Sequence, residues 1–286
     1  GLEVDEFASR LSFYFVSQAD FFEEIANFRA LRRCWAKIMK DRFGARDPAS
    51  MRLRFHCQTA AASLTKPQYK INAVRTGLQA LAAVLGGAQS LHTNGMDEAF
   101  TIPTEEAMKI ALRTQQIIAY ETGVTDTVDP LGGSYFVESM TNQIEAAAYE
   151  YFRRIDDVGG VMTAVETGFL QREIADASYL YQMEEDRKER ITVGVNEHCT
   201  DDALEIPLLR VDRDGEKRQV DRLNEIRRTR DNQDVAEKLQ ALEQVAKGTD
   251  NLMPLMIEAA KAYATVGEMM DVLRGVFGEY QPSWGF

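Results

Sequence analysis

Short apolar runs alternate with amphipathic helices three times in the first 122 residues, and that alternation constrains the fold most. Arg10-Leu11-Ser12-Phe13-Tyr14-Phe15-Val16 has the aromatic-rich, polar-flanked pattern of a strand. A helix is predicted from about Asp20 to Phe43, because Phe21, Ile25, Phe28, Leu31, Trp35 and Ile38 recur three or four residues apart. Met51 to Cys57 predicts a second strand, and Tyr69 to Leu85 a second helix closed by Gly86-Gly87. Ala88 to Thr93 predicts a third, short strand. Thr104-Glu105-Glu106 then opens a third helix that runs to about Glu121. Strand–helix units in series pack as a parallel sheet, so the fold class is α/β. Three units cannot close a barrel, which needs eight strands. They form a small open sheet or the end of a barrel begun upstream. The chain starts Gly1-Leu2-Glu3-Val4 without methionine, and the expectation is that it belongs to a longer one.

After residue 122 the pattern is helical, which sets the expected domains at 1–122 and 123–286. Helices are predicted over Asn142 to Ile155 and over Val161 to Arg190, the latter with a break near Gly168. Asp212-Arg213-Asp214-Gly215 reads as a turn. Helices are predicted after it over Val220 to Lys247 and Leu252 to Phe277. The charged run Glu184 to Arg190 reads as a solvated helix face.

The 286 residues are 45% hydrophobic and 27% charged, ordinary for a globular chain with a substantial core. No apolar run reaches the length of a membrane span. A net charge of −12 argues against nonspecific nucleic-acid binding, which depends on neutralising phosphates. Local arginines can still hold an anionic small ligand. Cys34, Cys57 and Cys199 are odd in number and far apart. That argues against a disulfide framework or a thiolate zinc site, and for a reducing compartment such as the cytoplasm.

In parallel βα architectures ligands sit at the C-terminal ends of strands. Period-two spacing puts Arg10, Ser12 and Tyr14 on one face of the first strand, and Arg54, His56 and Gln58 on one face of the second. The third strand ends in Gln89, His92, Asn94, Asp97 and Glu98. These residues are expected to converge on one hydrogen-bonding mouth whose arginines suit phosphate or carboxylate. Each also has a bland reading. His56 or His92 could be a satisfied core histidine, Arg10 could pair with Asp5 or Glu6, and Tyr14 could be core packing with one polar tip. The sequence lacks a Gly-rich phosphate loop, a zinc-protease helix and a nucleophile elbow. Asp97 and Glu98 are adjacent and would point apart, which argues against a two-carboxylate glycosidase.

Several motifs together resemble the methylmalonyl-CoA mutase family, in order along nearly the whole chain. They are Arg10-Leu11-Ser12-Phe13, His56-Cys57-Gln58-Thr59 with Ser63-Leu64-Thr65, and Gln89-Ser90-Leu91-His92-Thr93-Asn94. Met96-Asp97-Glu98-Ala99, Asp129-Pro130-Leu131-Gly132-Gly133, Val193-Gly194-Val195-Asn196 and Thr265-Val266-Gly267-Glu268 continue the likeness. The resemblance implies the C-terminal part of a (β/α)8 TIM barrel, about three βα units, followed by a mainly helical region. It implies adenosylcobalamin-dependent radical isomerisation of an acyl-CoA, first of all between (R)-methylmalonyl-CoA and succinyl-CoA. Isobutyryl-CoA and 2-hydroxyisobutyryl-CoA are alternatives.

The same resemblance implies a large, substrate-binding subunit in a hetero-oligomer, whose cobalt ligand lies in a separate small cobalamin-binding subunit. It assigns Arg10 and Ser12 to the CoA ligand, Tyr14 to an aromatic wall near the acyl group, and Gln58 and Gln89 to the substrate pocket. Arg54 and His56 would line the pocket, while Asn94 and Glu98 would hold the adenosyl group. The family's carboxylate-binding arginine and tyrosine, and its histidine on the thioester carbonyl, would lie upstream of Gly1. Gly95 stands where the family commonly has serine. A reading of a different class is a noncatalytic fragment or assembly module that offers only its helical surface to a partner.

Overall fold

A computed structural model describes residues 1–200, 209 and 212–281. The chain divides into two compact units, 1–209 and 210–286.

The first unit is α/β. A short helix α1 (Val4–Phe7) leads into strand β1 (Phe13–Ser17), which is followed by α2 (Phe21–Lys37) and a π-helical turn (Ile38–Arg42). Strand β2 (Phe55–Thr59) and helix α3 (Asn72–Leu85) form the second unit of the repeat. Strand β3 (Ser90–His92) and helix α4 (Glu105–Glu121) form the third. The strands are parallel and ordered β1-β2-β3. Asp20 caps α2 by accepting from the Glu23 amide, and Thr104 caps α4 by accepting from Ala107.

Alternation decides which sheet face is covered. Phe28 of α2, Ala83 of α3 and Phe55 and Cys57 of β2 form the central core with Leu53. Phe13, Phe15, Trp35 and Leu91 pack around it. Phe28 stacks on Phe55, with ring centroids 5.1 Å apart. Tyr14, Val16, His56, Gln58 and His92 alternate with these core residues along the strands, so they belong to the other face.

Helix α5 (Tyr135–Asp157) lies along α2. It begins seven residues before the predicted Asn142, because Val137 is already buried against Ile25 and Ala82 and Glu138 reaches Arg29. The predicted break at Gly168 separates α6 (Val161–Glu166) from α7 (Phe169–Asp186), and Gly168 has the positive φ of 71° that glycine tolerates. The loop after α7 folds on Asn196, whose amide donates to the carbonyls of Glu185 and Arg190 and accepts from the Thr192 amide.

The second unit is helical: α8 (Arg213–Thr229), α9 (Asn232–Ala246), α10 (Met253–Lys261) and α11 (Val266–Phe277). Val235, Leu242, Ala259, Ala264 and Met269 form its core. Here the sequence expectations need correction. The expected turn at Asp212 is a helix start, with the Asp212 carboxylate accepting from the Asp214 amide. Each long expected helix is two helices, broken at Arg230-Asp231 and at Ala262 to Thr265. Asp231 caps α9 through the Gln233 and Asp234 amides. Thr265 and Glu268 form a reciprocal capping box at the start of α11. Among the described residues no helix is long and apolar enough to cross a membrane.

Candidate ligand-binding face

The expected site residues fall along the uncovered face and edges of the sheet. Parallel registration aligns Tyr14 with His56 and His56 with Ser90, then Val16 with Gln58 and Gln58 with His92. The Tyr14 and His56 rings sit 5.2 Å apart at their centroids. His56 Nδ1 shares a 2.7 Å hydrogen bond with Ser90 Oγ.

A hydrogen-bond chain crosses all three strands. The Tyr14 hydroxyl donates to Gln58 Oε1. Gln58 Nε2 donates to Asn94 Oδ1 at 2.8 Å, and Asn94 Nδ2 donates to the Thr59 carbonyl at 2.8 Å. Thr59 Oγ1 returns the bond by accepting from the Asn94 amide at 3.0 Å. Tyr14 is 58% exposed and Asn94 1%, so the chain runs from the open face into the core.

The expectation of a single mouth at the C-terminal strand ends is corrected. Arg10 lies in a 3₁₀ turn (Ala8–Arg10) before β1, Ser12 just precedes that strand, and Arg54 just precedes β2. These three therefore sit at the N-terminal end, because the strands proper begin with the aromatic residues Phe13 and Phe55 that pack on α2. Glu98 lies in the turn after β3, near the opposite end. The polar residues thus form a strip running the length of the strands.

Their engagement differs. Arg10 is exposed and forms no ion pair among the described residues. Asp5, its possible partner, accepts instead from the Arg46 and Asp47 amides. Ser12 is exposed and forms no side-chain hydrogen bond among the described residues. Arg54 donates to the Ser9 carbonyl. Gln89 precedes β3 and is committed to backbone: its Oε1 accepts from the Phe55 amide at 2.7 Å and its Nε2 donates to the Gly87 carbonyl at 2.8 Å. Glu98 is half-buried and its carboxylate has no partner among the described residues, which leaves an acceptor pair for a ligand. Asn94 has both ends of its amide committed within the protein, so it stands behind the wall rather than on it.

The turn carrying Glu98 is held from below. Asp97, 2% exposed, accepts through Oδ2 from the amide and hydroxyl of Thr104 at 2.9 and 2.8 Å. A Cβ on Gly95 would meet Asp97 Oδ1 at 2.8 Å and Pro103 Cβ at 3.2 Å, so a side chain there would require Asp97 to shift. On the covered face, burial pushes the Cys57 thiol up to about 12, so it stays protonated at neutral pH. Sequence reasoning gave no role to Thr59 or Ser90. Ser90 could have been found from strand pairing with His56, whereas the Thr59 role needs its carbonyl and hydroxyl placed against Asn94.

Residues 1–279 match the methylmalonyl-CoA mutase family. The chain belongs to that family. The large subunit of 2-hydroxyisobutanoyl-CoA mutase from Aquincola tertiaricarbonis is 55% identical over 283 residues, 98% of this chain and 50% of that protein. Methylmalonyl-CoA mutase from Rhizobium meliloti is 44% identical over 282 residues, 98% of this chain and 40% of that protein. The methylmalonyl-CoA mutase large subunit of Porphyromonas gingivalis is 40% identical over 283 residues, 98% of this chain and 39% of that protein. The chain thus spans half or less of the length of these curated relatives. Within the mutase family, the uncovered sheet face is the feature that a function has to explain.

Proposed function

We propose that this chain is the substrate-side part of an adenosylcobalamin-dependent acyl-CoA mutase, acting with further barrel strands and a small cobalamin-binding subunit in a hetero-oligomer. The observation that carries the reading is the uncovered face of β1-β2-β3. Parallel sheets are normally covered on both faces. Here one face carries the aromatic core, and the other carries tyrosine, histidine and glutamine with arginines at one end and a carboxylate at the other. Such a strip suits the inner wall of an eight-stranded barrel with a long, polar-ended thioester lying along its axis.

In this reading Arg10 and Ser12 hold the CoA end, where an unpaired guanidinium can make charge-assisted bonds. Tyr14, His56 and Gln58 line the middle, with Arg54 at the entrance. Gln89 fixes the start of β3, and so the position of His56's partner Ser90. Glu98 accepts from the adenosyl ribose, and Asn94 fixes Gln58 from behind the wall. The carboxylate of Glu98, without a partner among the described residues and on a turn braced by Asp97, fits a hydroxyl-bearing nucleoside. Adenosylcobalamin supplies, when bound, a cobalt–carbon bond whose homolysis starts hydrogen abstraction from the substrate. The residues of this chain orient thioester and nucleoside and exclude water, which requires no activated nucleophile. A cytoplasmic setting fits the three unpaired cysteines.

Interconversion of methylmalonyl-CoA and succinyl-CoA is the first substrate reading. A hydroxylated acyl-CoA is the second, favoured by 55% identity to the hydroxyisobutanoyl-CoA relative against 44% to a methylmalonyl-CoA mutase. The test is to assemble the full-length protein with its small subunit and adenosylcobalamin, then assay isomerisation of branched and linear acyl-CoA thioesters. Failure on all of them, with cobalamin demonstrably bound, overturns the reading in favour of an assembly module. In the active complex Arg10→Ala is expected to raise KM for the thioester about tenfold with kcat little changed, because the bond is made equally in ground and transition states.

A further inference from the structure

We infer that the first unit holds a second ligand site, apart from the open sheet face, which takes a small organic carboxylate with an aliphatic body and seats its charge on Arg75. The inference goes beyond the acyl-CoA reading and does not depend on it.

The site is a cavity of about 650 Å³ between α3 and the loop that follows α7. That volume suits a small-molecule ligand. Tyr14, His56, Gln58 and His92 do not line it. Part of its wall is a stripe of α3: Ile71, Val74, Arg75 and Leu78 recur at helical spacing on one face. The buried face of α3 is a different one, with Asn72, Thr76, Gln79 and Ala83. A helix with one buried face ordinarily turns polar residues outward, yet Val74 is 63% exposed and Leu78 55%. Ile191, Val193 and Val195 of the loop line the same cavity.

Arg75 stands in this apolar wall with its charge unanswered. Its Nη1 donates to Thr65 Oγ1 at 2.9 Å and to Asn72 Oδ1 at 2.8 Å, and its Nη2 donates to the Val193 carbonyl at 2.7 Å. These neutral acceptors staple the loop to α3 but do not balance a guanidinium. Burial pushes Arg75 below the ordinary arginine range, and no carboxylate among the described residues opposes it. Carboxylates are not scarce, since the chain carries 45 acidic residues against 33 basic ones. The other charges on the cavity wall are engaged. Arg190 pairs with Glu184 and covers the Tyr181 ring at 4.5 Å, Glu185 accepts from the Thr192 hydroxyl, and Lys66 stands over the Phe100 ring. Arginine has five N–H groups, so one on Nε and one on Nη2 remain for a ligand. A ligand carboxylate supplies both the acceptors and the missing charge. An aliphatic body beside it gains burial against Val74 and Leu78.

The experiment uses the full-length chain assembled with its small subunit, and octanoate as the probe. 1-Octanol keeps the body without the charge, and acetate keeps the charge without the body. Titration calorimetry is expected to give octanoate a Kd on the order of 0.1 mM, the range open to a ligand of about ten heavy atoms. Octanol is expected to bind about tenfold more weakly and acetate not measurably, because each lacks one of the two interactions. Leu78→Glu places a carboxylate one turn from Arg75 at an exposed position, so it occupies the site without removing a hydrogen bond of the fold. It is expected to weaken octanoate about tenfold with no fall in melting temperature. Arg75→Gln is expected to bring octanoate and octanol to equal affinity. Octanoate binding that survives Leu78→Glu locates the ligand elsewhere and overturns the inference. Octanol binding as tightly as octanoate to the wild type also overturns it, since Arg75 is then no anchor. So does the absence of octanoate binding to the assembled wild type, which means that another part of the assembly covers the cavity.

Discussion

At the scale of single residues, the site depends on side chains that a ligand would never touch. Asn94 is nearly inaccessible, yet it fixes both Gln58 in front of it and Thr59 beside it. Removing its amide leaves the Thr59 carbonyl and the Gln58 NH₂ without these partners. Asn94→Ala is therefore expected to cost about 1–3 kcal/mol, read as a lower denaturant midpoint at unchanged slope. Asn94→Asp should cost more, because a carboxylate oxygen would replace the donor facing the Thr59 carbonyl. A cost below about 0.5 kcal/mol for the alanine variant would mean that water replaces the amide without penalty. The sequence showed which face each strand residue takes, since Phe13, Phe15, Phe55 and Cys57 alternate with Tyr14, His56 and Gln58. It did not show how the polar residues divide between ligand and scaffold. Gln58 and Asn94 are 36 positions apart, and only the register of β2 with β3 brings their side chains together.

At the scale of elements, charge fixes the seam between α2 and α5. Arg29 bonds both Asp129 and Glu138, while Arg33 and Lys37 share Glu145. Burial alone would raise the Glu145 carboxyl. The Lys37 hydrogen bond and the Arg33 charge outweigh it and hold the carboxyl below its usual range. The Arg29 side chain is 11% exposed, so its partners cannot simply be replaced by water. Arg29→Met is expected to lower stability by about 1–2 kcal/mol, measured by thermal or urea unfolding, with a small salt dependence because the pair is shielded.

The helix breaks of the second unit show why element boundaries were harder to read than element types. Apolar periodicity runs through 252–277 with little interruption, and that periodicity led to one predicted helix. The break is made by backbone hydrogen bonds instead. The Ala264 amide reaches the Ala259 carbonyl at 2.9 Å and the Tyr263 amide reaches Ala260 at 3.0 Å, the paired bonds of a Schellman end. Tyr263 takes the left-handed position with φ of 66°, which a tyrosine adopts at a cost. Thr265-x-x-Glu268 was a legible capping signal, but it was masked because Tyr263 stands where glycine would announce the stop. Tyr263→Gly is expected to raise the melting temperature slightly, by about 0.5–1 kcal/mol of stability. A fall would show that the exposed ring contributes more than its backbone costs.

At the scale of the whole molecule, two units with separate cores need not share one response to pH. In the second, Arg230 holds both oxygens of Glu268 and also donates to the Tyr263 carbonyl at 2.8 Å. It thereby ties the end of α10 to the first turn of α11. The Arg230 bond, with the Thr265 amide and hydroxyl adding to it against burial, lowers the Glu268 carboxyl to about 2. A carboxyl depressed in the folded state binds protons less readily there than in the unfolded chain. Its contribution is therefore complete above the unfolded value near 4.5 and is lost as pH falls toward 2. The amount is on the order of 1–3 kcal/mol, since Glu268 is partly exposed. Acid titration with amide exchange followed residue by residue should show α10 and α11 losing protection between about pH 4.5 and 2. Glu268→Gln should lower protection of the same helices at pH 7 and flatten their response across that window. The bond that sets this response also closes the turn between α10 and α11. Acid lability of the two helices and the geometry of their junction therefore have one origin, and a variant that alters one without the other would contradict it.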